Sequence, residues 1–179
     1  FRSEGRPLQT LIWYPAQKSE GAPMEYRDYI ALEATEASFG HPEPITGLEA
    51  RHLASMPEST RTRIMWAVRG ATQVAGKFPV IIYAPSFSSV PWENAELLED
   101  RAICGYVVIA TPAMGEQRDS THDVAGTNAQ AQDISFLIGF ASSLGNADLS
   151  KVAVIGYSWG GIANLFAAAR DSRIKALVA

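Results

Sequence analysis

The sequence predicts an α/β fold built on a mostly parallel, doubly wound sheet. Short apolar runs of strand-like composition alternate with longer helical patterns along most of the 179 residues. The runs at 79–84 and 105–110 are almost wholly apolar, which is typical of central strands covered on both faces. This alternation of strands and helices indicates that the strands pair in parallel through right-handed crossovers.

The predicted strands end at turn signals or at a change of periodicity. Pro15 closes the first strand, and Thr111-Pro112 closes the third. In chain order, the strands are expected at 9–14, 79–84, 105–110, 151–155 and 174–179.

The predicted helices fill the segments between these strands. They are expected at 25–39, 92–104, 127–144 and 162–169. Residues 44–67 are expected to be helical in pieces because Pro57 interrupts them, and their polar content indicates a surface insertion or lid. The sequence thus predicts one domain with a helical insertion at about 24–70.

Composition limits the class of partner. With 47% apolar and 19% charged residues, the chain can bury one sizeable core and fits a single domain. A net charge of -4 without a basic cluster argues against nucleic acid or an anionic membrane surface as the main partner. No apolar run reaches the length of a membrane span. Since the chain begins at Phe1, we expect a processed or trimmed product, and its compartment stays open between the cytoplasm and export after signal removal.

Cysteine and histidine usage indicates no metal site. Cys104 is the only cysteine, so an internal disulfide is impossible; at the predicted end of a helix it is expected to be buried as a small apolar residue. His41, His52 and His122 are scattered, without the spacing of metal ligands, and the first two are expected at the surface. We expect neither a metal nor an organic cofactor.

The segment Gly156-Tyr157-Ser158-Trp159-Gly160-Gly161 carries the strongest chemical signal. It lies between an apolar strand and a helix of small residues, so Ser158 is expected at a strand-to-helix turn that presents its hydroxyl as a nucleophile. Gly156 and Gly160 fit a turn in which side chains would collide with the neighbouring strand and helix. The helix N-terminus directs its amides at the same place, where they favour an anion. An ordinary glycine-rich turn is the alternative.

Functional groups are expected at the carboxyl ends of the strands, where open parallel sheets bind ligands. The loops at 85–89 and 111–126 should meet the serine turn at that edge. A serine nucleophile needs a base for its proton and two donors for the oxyanion. We expect these donors to be the backbone N–H groups of Trp159 and Phe87, with Ser88 as the alternative to Phe87.

This arrangement resembles the α/β-hydrolase fold, and nearly all of residues 77–179 takes part. The segments R-P-L-Q-T-L-I-W-Y-P-A, F-P-V-I-I-Y-A-P-S-F-S-S, E-Q-R-D-S and D-S-R-I-K-A-L-V-A resemble platelet-activating-factor acetylhydrolases and dienelactone-hydrolase-like serine esterases. The chain departs from the family pattern where Pro85-Ser86 replaces the usual His-Gly of the oxyanion loop. Dienelactone hydrolases proper carry a cysteine nucleophile, so Ser158 implies ester chemistry instead.

The resemblance implies triad partners in the order serine, acid and histidine. Residues 159–179 contain no histidine, and in acetylhydrolase-like members the acid stands at the end of the next strand. We therefore expect the acid and the base beyond Ala179, so that residues 1–179 form a single incomplete domain whose C-terminal part is missing. The fragment alone is expected to be inactive, and its last strand could pair with the missing segment or with another copy.

Other polar residues have a weaker case. His122 lies between two aspartates near the strand ends and is an alternative base, although a solvated loop histidine is the commoner case. Asp171 stands at the amino end of the last strand, the wrong edge for the acid, and is expected in a turn. Glu116 and Arg118 could border the pocket or form a structural ion pair.

Tryptophan offers one further candidate. Trp159 is expected to line the acyl site, Trp13 and Trp92 are expected to cover the sheet or a helix, and Trp66 has no assigned role. The sequence thus predicts a serine hydrolase that cleaves a small-molecule ester of small or medium acyl group. A peptidase of the same fold is the enzymatic alternative, and a non-catalytic binding or scaffold module is the alternative from another class.

Overall fold

A computed structural model describes residues 9–38, 53–113 and 121–179. The chain separates into two compact units, one formed by residues 17–72 and the other by the residues on both sides of that segment. The insertion expected at about 24–70 falls within the first unit, and its assignment to one domain with the rest stays a prediction. Four residues discussed above lie outside the described ranges: His41, His52, Glu116 and Arg118.

The larger unit is built on a sheet of five strands. They are β1 (Leu11–Trp13), β2 (Phe78–Ala84), β3 (Val107–Ala110), β4 (Ala147–Gly156) and β5 (Ile174–Val178). Their order in the sheet is β1-β3-β2-β4-β5; β1 runs antiparallel to β3, and all other neighbours pair in parallel. The predicted α/β fold with a mostly parallel sheet is therefore confirmed.

Helices occur in both units. The unit at 17–72 contains α1 (Tyr26–Ser38) and α2 (Glu58–Arg61), and the larger unit contains α3 (Ala95–Ile103), α4 (Val124–Ala141) and α5 (Trp159–Ala168). Helix α1 agrees with the predicted 25–39 to within a residue at either end. Among the described residues, no helix combines the length and apolarity that a membrane span requires.

The main core of the larger unit lies between the sheet and the helices α4 and α5. Alternate residues of the central strands, such as Val80 and Ile82 of β2, contribute to it together with Leu137 of α4. The residues between them, such as Ile81, are also buried and face the opposite side, since side chains alternate along a strand. Helix α3 packs against β1 and β3. Coverage on both faces explains why the central strands are apolar throughout.

Helix α4 and strand β4 begin earlier than the sequence pattern predicts. Helix α4 begins at Val124 rather than 127 because the Asp123 side chain caps it, accepting a hydrogen bond from the Gly126 N–H at 2.9 Å. Strand β4 begins at Ala147 rather than 151 because Phe78 pairs with Ala147, ahead of an irregularity in the register. In β4 the polar residues Asp148 and Ser150 mask the start of the strand.

The tryptophan and cysteine predictions have opposite outcomes. Trp13 and Trp92 are buried, as expected for residues that cover the sheet or a helix, while Trp66 is 74% exposed. The prediction that Cys104 is buried is wrong, because this residue is exposed at the end of α3. The chain leaves the helix there through Gly105, whose φ of 92° turns the backbone towards β3 and leaves Cys104 on the outer side.

Asp171 lies in the turn between α5 and β5, at the amino end of that strand, as predicted. Its carboxylate accepts hydrogen bonds from the backbone N–H of Arg173 at 3.1 Å and from the guanidinium of Arg173 at 2.8 and 2.6 Å. The guanidinium also donates to the Ser135 carbonyl of α4 at 3.0 Å. The Arg173 side chain lowers the pKa of Asp171 to about 2. The pair therefore ties the turn before β5 to α4.

We expect Asp171→Asn to destabilise the protein at neutral pH and much less in acid. Because the folded pKa of about 2 lies below the unfolded value of about 3.9, the carboxylate stabilises the native state above about pH 4. This contribution is lost as the pH falls towards 2. In urea unfolding, the free energy of unfolding of the variant should be roughly 1–2 kcal/mol below that of the wild type at about pH 7, and the gap should be smaller at about pH 3. Ser172→Ala, in the same turn, is the control, and a difference that does not shrink in acid would contradict the prediction.

Candidate active site

Ser158 lies at the turn between β4, which ends at Gly156, and α5, which begins at Trp159. Its backbone has φ 53° and ψ -116°, a conformation that costs a residue with a side chain on the order of 1–3 kcal/mol. The residue is exposed to solvent. The structure thus places Ser158 at the strand-to-helix turn that the sequence predicts.

Close packing around this turn explains the glycine on each side of it. A Cβ on Gly156 would lie 2.4 Å from the carbonyl group of Gly160, and a Cβ on Gly160 would lie 2.0 Å from the Ala84 oxygen and 2.7 Å from the Pro85 oxygen. Real Cβ atoms essentially never approach other heavy atoms closer than 3.0 Å. Any side chain at either position would therefore push the serine turn away from its neighbours.

The end of β2 lies directly against the serine turn. Ala84 of β2 and Gly156 of β4 are partners in the parallel register. One residue further along, the Tyr157 N–H donates a hydrogen bond to the Ala84 carbonyl at 3.1 Å. Because the two strands end at the same level, the segments that leave them must run side by side.

The loop at 85–89 leaves β2 in a constrained conformation. The Ser89 N–H donates to the Ser86 carbonyl at 3.2 Å, and Ser88 has a φ of 54°, a region that residues with a side chain rarely adopt. The Ala113 N–H, just after β3, donates to the Ser89 carbonyl at 3.0 Å. The segments that follow β2, β3 and β4 therefore meet at the carboxyl edge of the sheet.

Phe87 and Trp159, the residues predicted to bind an oxyanion, lie side by side. Their rings meet edge to face, with centroids 6.0 Å apart and an interplanar angle of 84°. Trp159 is the first residue of α5, where backbone N–H groups have no partner within the helix. In the described part of the chain, outside the helices and strands, neither residue donates its N–H to a backbone carbonyl.

His122, the alternative base, joins the same cluster. Its ring stacks on Phe87 with centroids 3.4 Å apart, and it meets the Trp159 ring edge to face at 5.3 Å. We call Phe87, His122 and Trp159 the aromatic cluster. The neighbouring Asp123 carboxylate accepts hydrogen bonds from the Gly126 N–H and the Thr121 hydroxyl, which lower its pKa. Asp123 thus serves as a helix cap rather than as a partner of the imidazole.

Polar side chains that the sequence analysis missed also hold this edge. Gln130 of α4 is buried and donates through Nε2 to the Pro85 carbonyl at 2.8 Å. Asn164 of α5 is fully buried and donates through Nδ2 to the Val178 carbonyl at the end of β5, at 3.1 Å. Asn164 interrupts an otherwise small or apolar helical run, and this break in the pattern is the signal that could have indicated it. Gln130 lies among other polar residues of α4, so the sequence pattern does not distinguish it.

The groups at this edge suit a carbonyl oxygen better than a cation. The candidate donors are backbone N–H groups beside a hydroxyl, whereas metal sites use carboxylate, imidazole or thiolate ligands. Within the described ranges, no three His, Cys, Asp or Glu side chains are grouped as metal ligands would be.

We expect Gly160→Ala to destabilise the protein by roughly 1–3 kcal/mol or more, because the added methyl group would collide with the backbone of β2. Urea unfolding followed by circular dichroism measures the effect. Gly145→Ala is the matched control, since a Cβ at Gly145 meets nothing within 4 Å. Equal stability of the two variants would contradict the tight contact at Gly160.

No protein-family model and no curated protein sequence matches the chain. Among solved structures, the chain is similar to a ferulic acid esterase from Streptomyces cinnamoneus, with a TM-score of 0.66 and 21% identity over 93% of this chain and 49% of the esterase. It is also similar to DcsB in complex with its substrate analogue, with a TM-score of 0.50 and 31% identity over 57% of this chain and 36% of DcsB. A further similar structure is the α/β hydrolase GrgF from Penicillium sp. sh18, with a TM-score of 0.49 and 19% identity over 58% of this chain and 37% of GrgF.

The chain thus spans about half of the esterase and a smaller share of the other two structures. The similarity to the esterase extends over nearly the whole of this chain, and the strand order and the serine turn are consistent with it. The chain therefore has the α/β-hydrolase fold, as the sequence predicts.

Proposed function

We propose that this chain supplies the nucleophile of a serine hydrolase, which cleaves a carboxylic ester through an acyl-enzyme on Ser158. One observation carries the proposal: an exposed serine occupies a strained turn that backbone contacts with β2 hold in place. Strained backbone of this kind clusters at functional sites, because the surrounding structure must maintain it against its cost. The candidate oxyanion donors lie beside it.

In the proposed reaction, Ser158 Oγ attacks the ester carbonyl carbon while a base accepts its proton. The carbonyl electron pair moves onto oxygen, and the N–H groups of Trp159 and Phe87 donate hydrogen bonds to this oxyanion. When the intermediate collapses, the bond to the alcohol oxygen breaks and the alcohol takes the proton from the base. Water, deprotonated by the same base, then attacks the acyl-enzyme, releases the carboxylic acid and restores Ser158.

We propose that the base and the acid come from residues that follow Ala179 in the complete protein. The esterase of similar fold is about twice as long as the part that this chain matches. Among the described strands, β5 pairs only with β4. Ile162, Leu165 and Val178 expose 42%, 55% and 56% of their surface, an apolar area that further chain would cover. A second copy of the chain is the other occupant that fits this surface.

The proposed substrate is a small-molecule ester with a small or medium acyl group, and the reaction requires no cofactor. The aromatic cluster offers an apolar wall beside the nucleophile. The activity of the similar ferulic acid esterase supports ester chemistry, as does the resemblance to acetylhydrolases and dienelactone-hydrolase-like esterases. Probe labelling and hydrolysis assays separate this proposal from a peptidase of the same fold and from a non-catalytic scaffold.

We expect Ser158→Ala to abolish labelling of the full-length protein by a fluorophosphonate probe, because labelling requires an activated hydroxyl. Hydrolysis of p-nitrophenyl acetate should fall by roughly a thousandfold or more. Ser172→Ala, at an exposed serine, is the control and should behave like the wild type. A wild-type protein that is folded but not labelled would indicate a scaffold, and Ser158-dependent cleavage of peptide amides in preference to esters would indicate a peptidase.

We expect His122→Phe to retain ester hydrolysis within about threefold of the wild type. Phenylalanine keeps a ring against Phe87 but cannot accept a proton, so the variant tests the base without removing the stack. A general base typically contributes about a hundredfold or more to the rate. A loss of that size, with the protein still folded, would make His122 the base and would contradict a base beyond Ala179.

A further inference from the structure

The Glu93 carboxylate is bound to the loop that follows β2. Glu93 Oε2 accepts hydrogen bonds from the Ser86 N–H at 2.9 Å and from the Tyr83 hydroxyl at 3.2 Å. Glu93 Oε1 accepts a short hydrogen bond from the Ser86 hydroxyl. One side chain thus binds both the first serine of the loop and the strand that precedes it.

Tyr83 fixes the Glu93 carboxylate from the side of the sheet. Its side chain is 1% exposed, and burial raises the pKa of its hydroxyl well above the usual range. The hydroxyl therefore keeps its proton and donates it to Glu93, while it accepts a hydrogen bond from Asn94 Nδ2 at 2.6 Å. The residues that lead into α3 are in this way bound to the end of β2.

The loop at 85–89 needs external support because Ser88 has a φ of 54°. The Gln130 amide holds the Pro85 carbonyl at 2.8 Å, and the Ser86 carbonyl accepts from the Ser89 N–H at 3.2 Å. The Gln130 contact holds the carbonyl side of the Pro85–Ser86 peptide, but neither contact binds the Ser86 N–H or the Ser86 hydroxyl. Those two groups, which immediately precede Phe87, are held by Glu93.

A structural role at the helix does not account for Glu93. The residue at the N-cap of α3 is Asn94, and no side-chain hydrogen bond caps that helix. The Glu93 carboxylate is directed at the loop and at Tyr83 instead. Because its oxygens are already occupied by donors, it is also not suited to remove a proton from Ser158.

We infer that Glu93 is a positioning residue: it holds the backbone N–H and the hydroxyl of Ser86, and thereby orients the next residue so that the Phe87 N–H stabilises the oxyanion. The inference rests on the proposed function. Pro85-Ser86 stands where the resembling family carries His-Gly, and the side chain of Ser86 gives Glu93 a second contact with the loop. Glu93 thereby stabilises a loop that includes a strained residue.

Hydrogen exchange and kinetics test this inference on the full-length protein. In Glu93→Ala, the backbone amides of Ser86 and Ser89, which are hydrogen-bonded in this loop, should exchange at least about tenfold faster, because the loop loses its carboxylate anchor. The kcat for p-nitrophenyl acetate should fall by roughly tenfold to a hundredfold with KM within about twofold, since a misplaced oxyanion donor affects the transition state more than binding.

Two variants serve as controls. Glu93→Gln keeps an acceptor for the Ser86 N–H and should recover most of the lost kcat. If Glu93 acted through packing alone, Glu93→Gln and Glu93→Met, an apolar residue of similar size, would have the same kcat. Glu96→Gln removes an exposed carboxylate from α3, three residues further along the chain, and should change neither exchange nor kcat.

The outcomes separate the inference from the proposed function. If the wild type shows Ser158-dependent turnover and Glu93→Ala changes neither loop exchange nor kcat, the inference is overturned and the proposed function stands. Faster exchange with unchanged kcat also overturns it, since loop order would then not matter for the reaction. If the wild type shows no Ser158-dependent turnover, the proposed function and the catalytic role inferred for Glu93 both fail, while exchange still decides whether Glu93 orders the loop.

Discussion

The close backbone contact between Gly160 and the carbonyl groups at the end of β2 is the constraint on which the candidate site depends. The parallel register of β2 and β4 brings Ala84 and Gly156 to the same level, so the loop after one strand and the helix after the other occupy adjacent space. Only a residue without a side chain at position 160 allows α5 to lie this close to the end of β2. The contact sets the start of α5, and the start of α5 sets the conformation of Ser158 between it and β4.

Features that follow from local pattern could be predicted from the sequence. The central strands β2 and β3 are recognisable because burial on both faces requires apolar residues throughout, and the turn at Ser158 is recognisable because tight packing requires glycine at fixed positions. The sequence likewise predicts that Phe87 and Trp159 belong to loops that meet, since parallel strands deliver their carboxyl ends to one edge. The apolar composition of a strand and the spacing of glycines around a turn are both visible within a short stretch of sequence.

Features that depend on contacts between distant residues could not be predicted. The early start of β4 depends on pairing with Phe78, and the polar residues of that extension hide it. Glu93 is a polar residue ahead of a helix, and only the fold shows that its carboxylate reaches back to Ser86 rather than capping α3. The aromatic cluster is a further example, because His122 reaches Phe87 through the loop after β3. These residues meet only once the sheet has assembled.

The exposure of Cys104 makes it a natural attachment point for a reporter. It is the only cysteine of residues 1–179, so a thiol-specific dye would modify one defined position in this part of the protein. Helix α3 begins next to the Glu93 contacts and ends at Cys104, which places the thiol about 13 Å away along the helix axis, at the opposite rim of the sheet. A fluorophore there would leave the serine turn unobstructed, and energy transfer to a labelled ligand could then follow its arrival without any engineered cysteine.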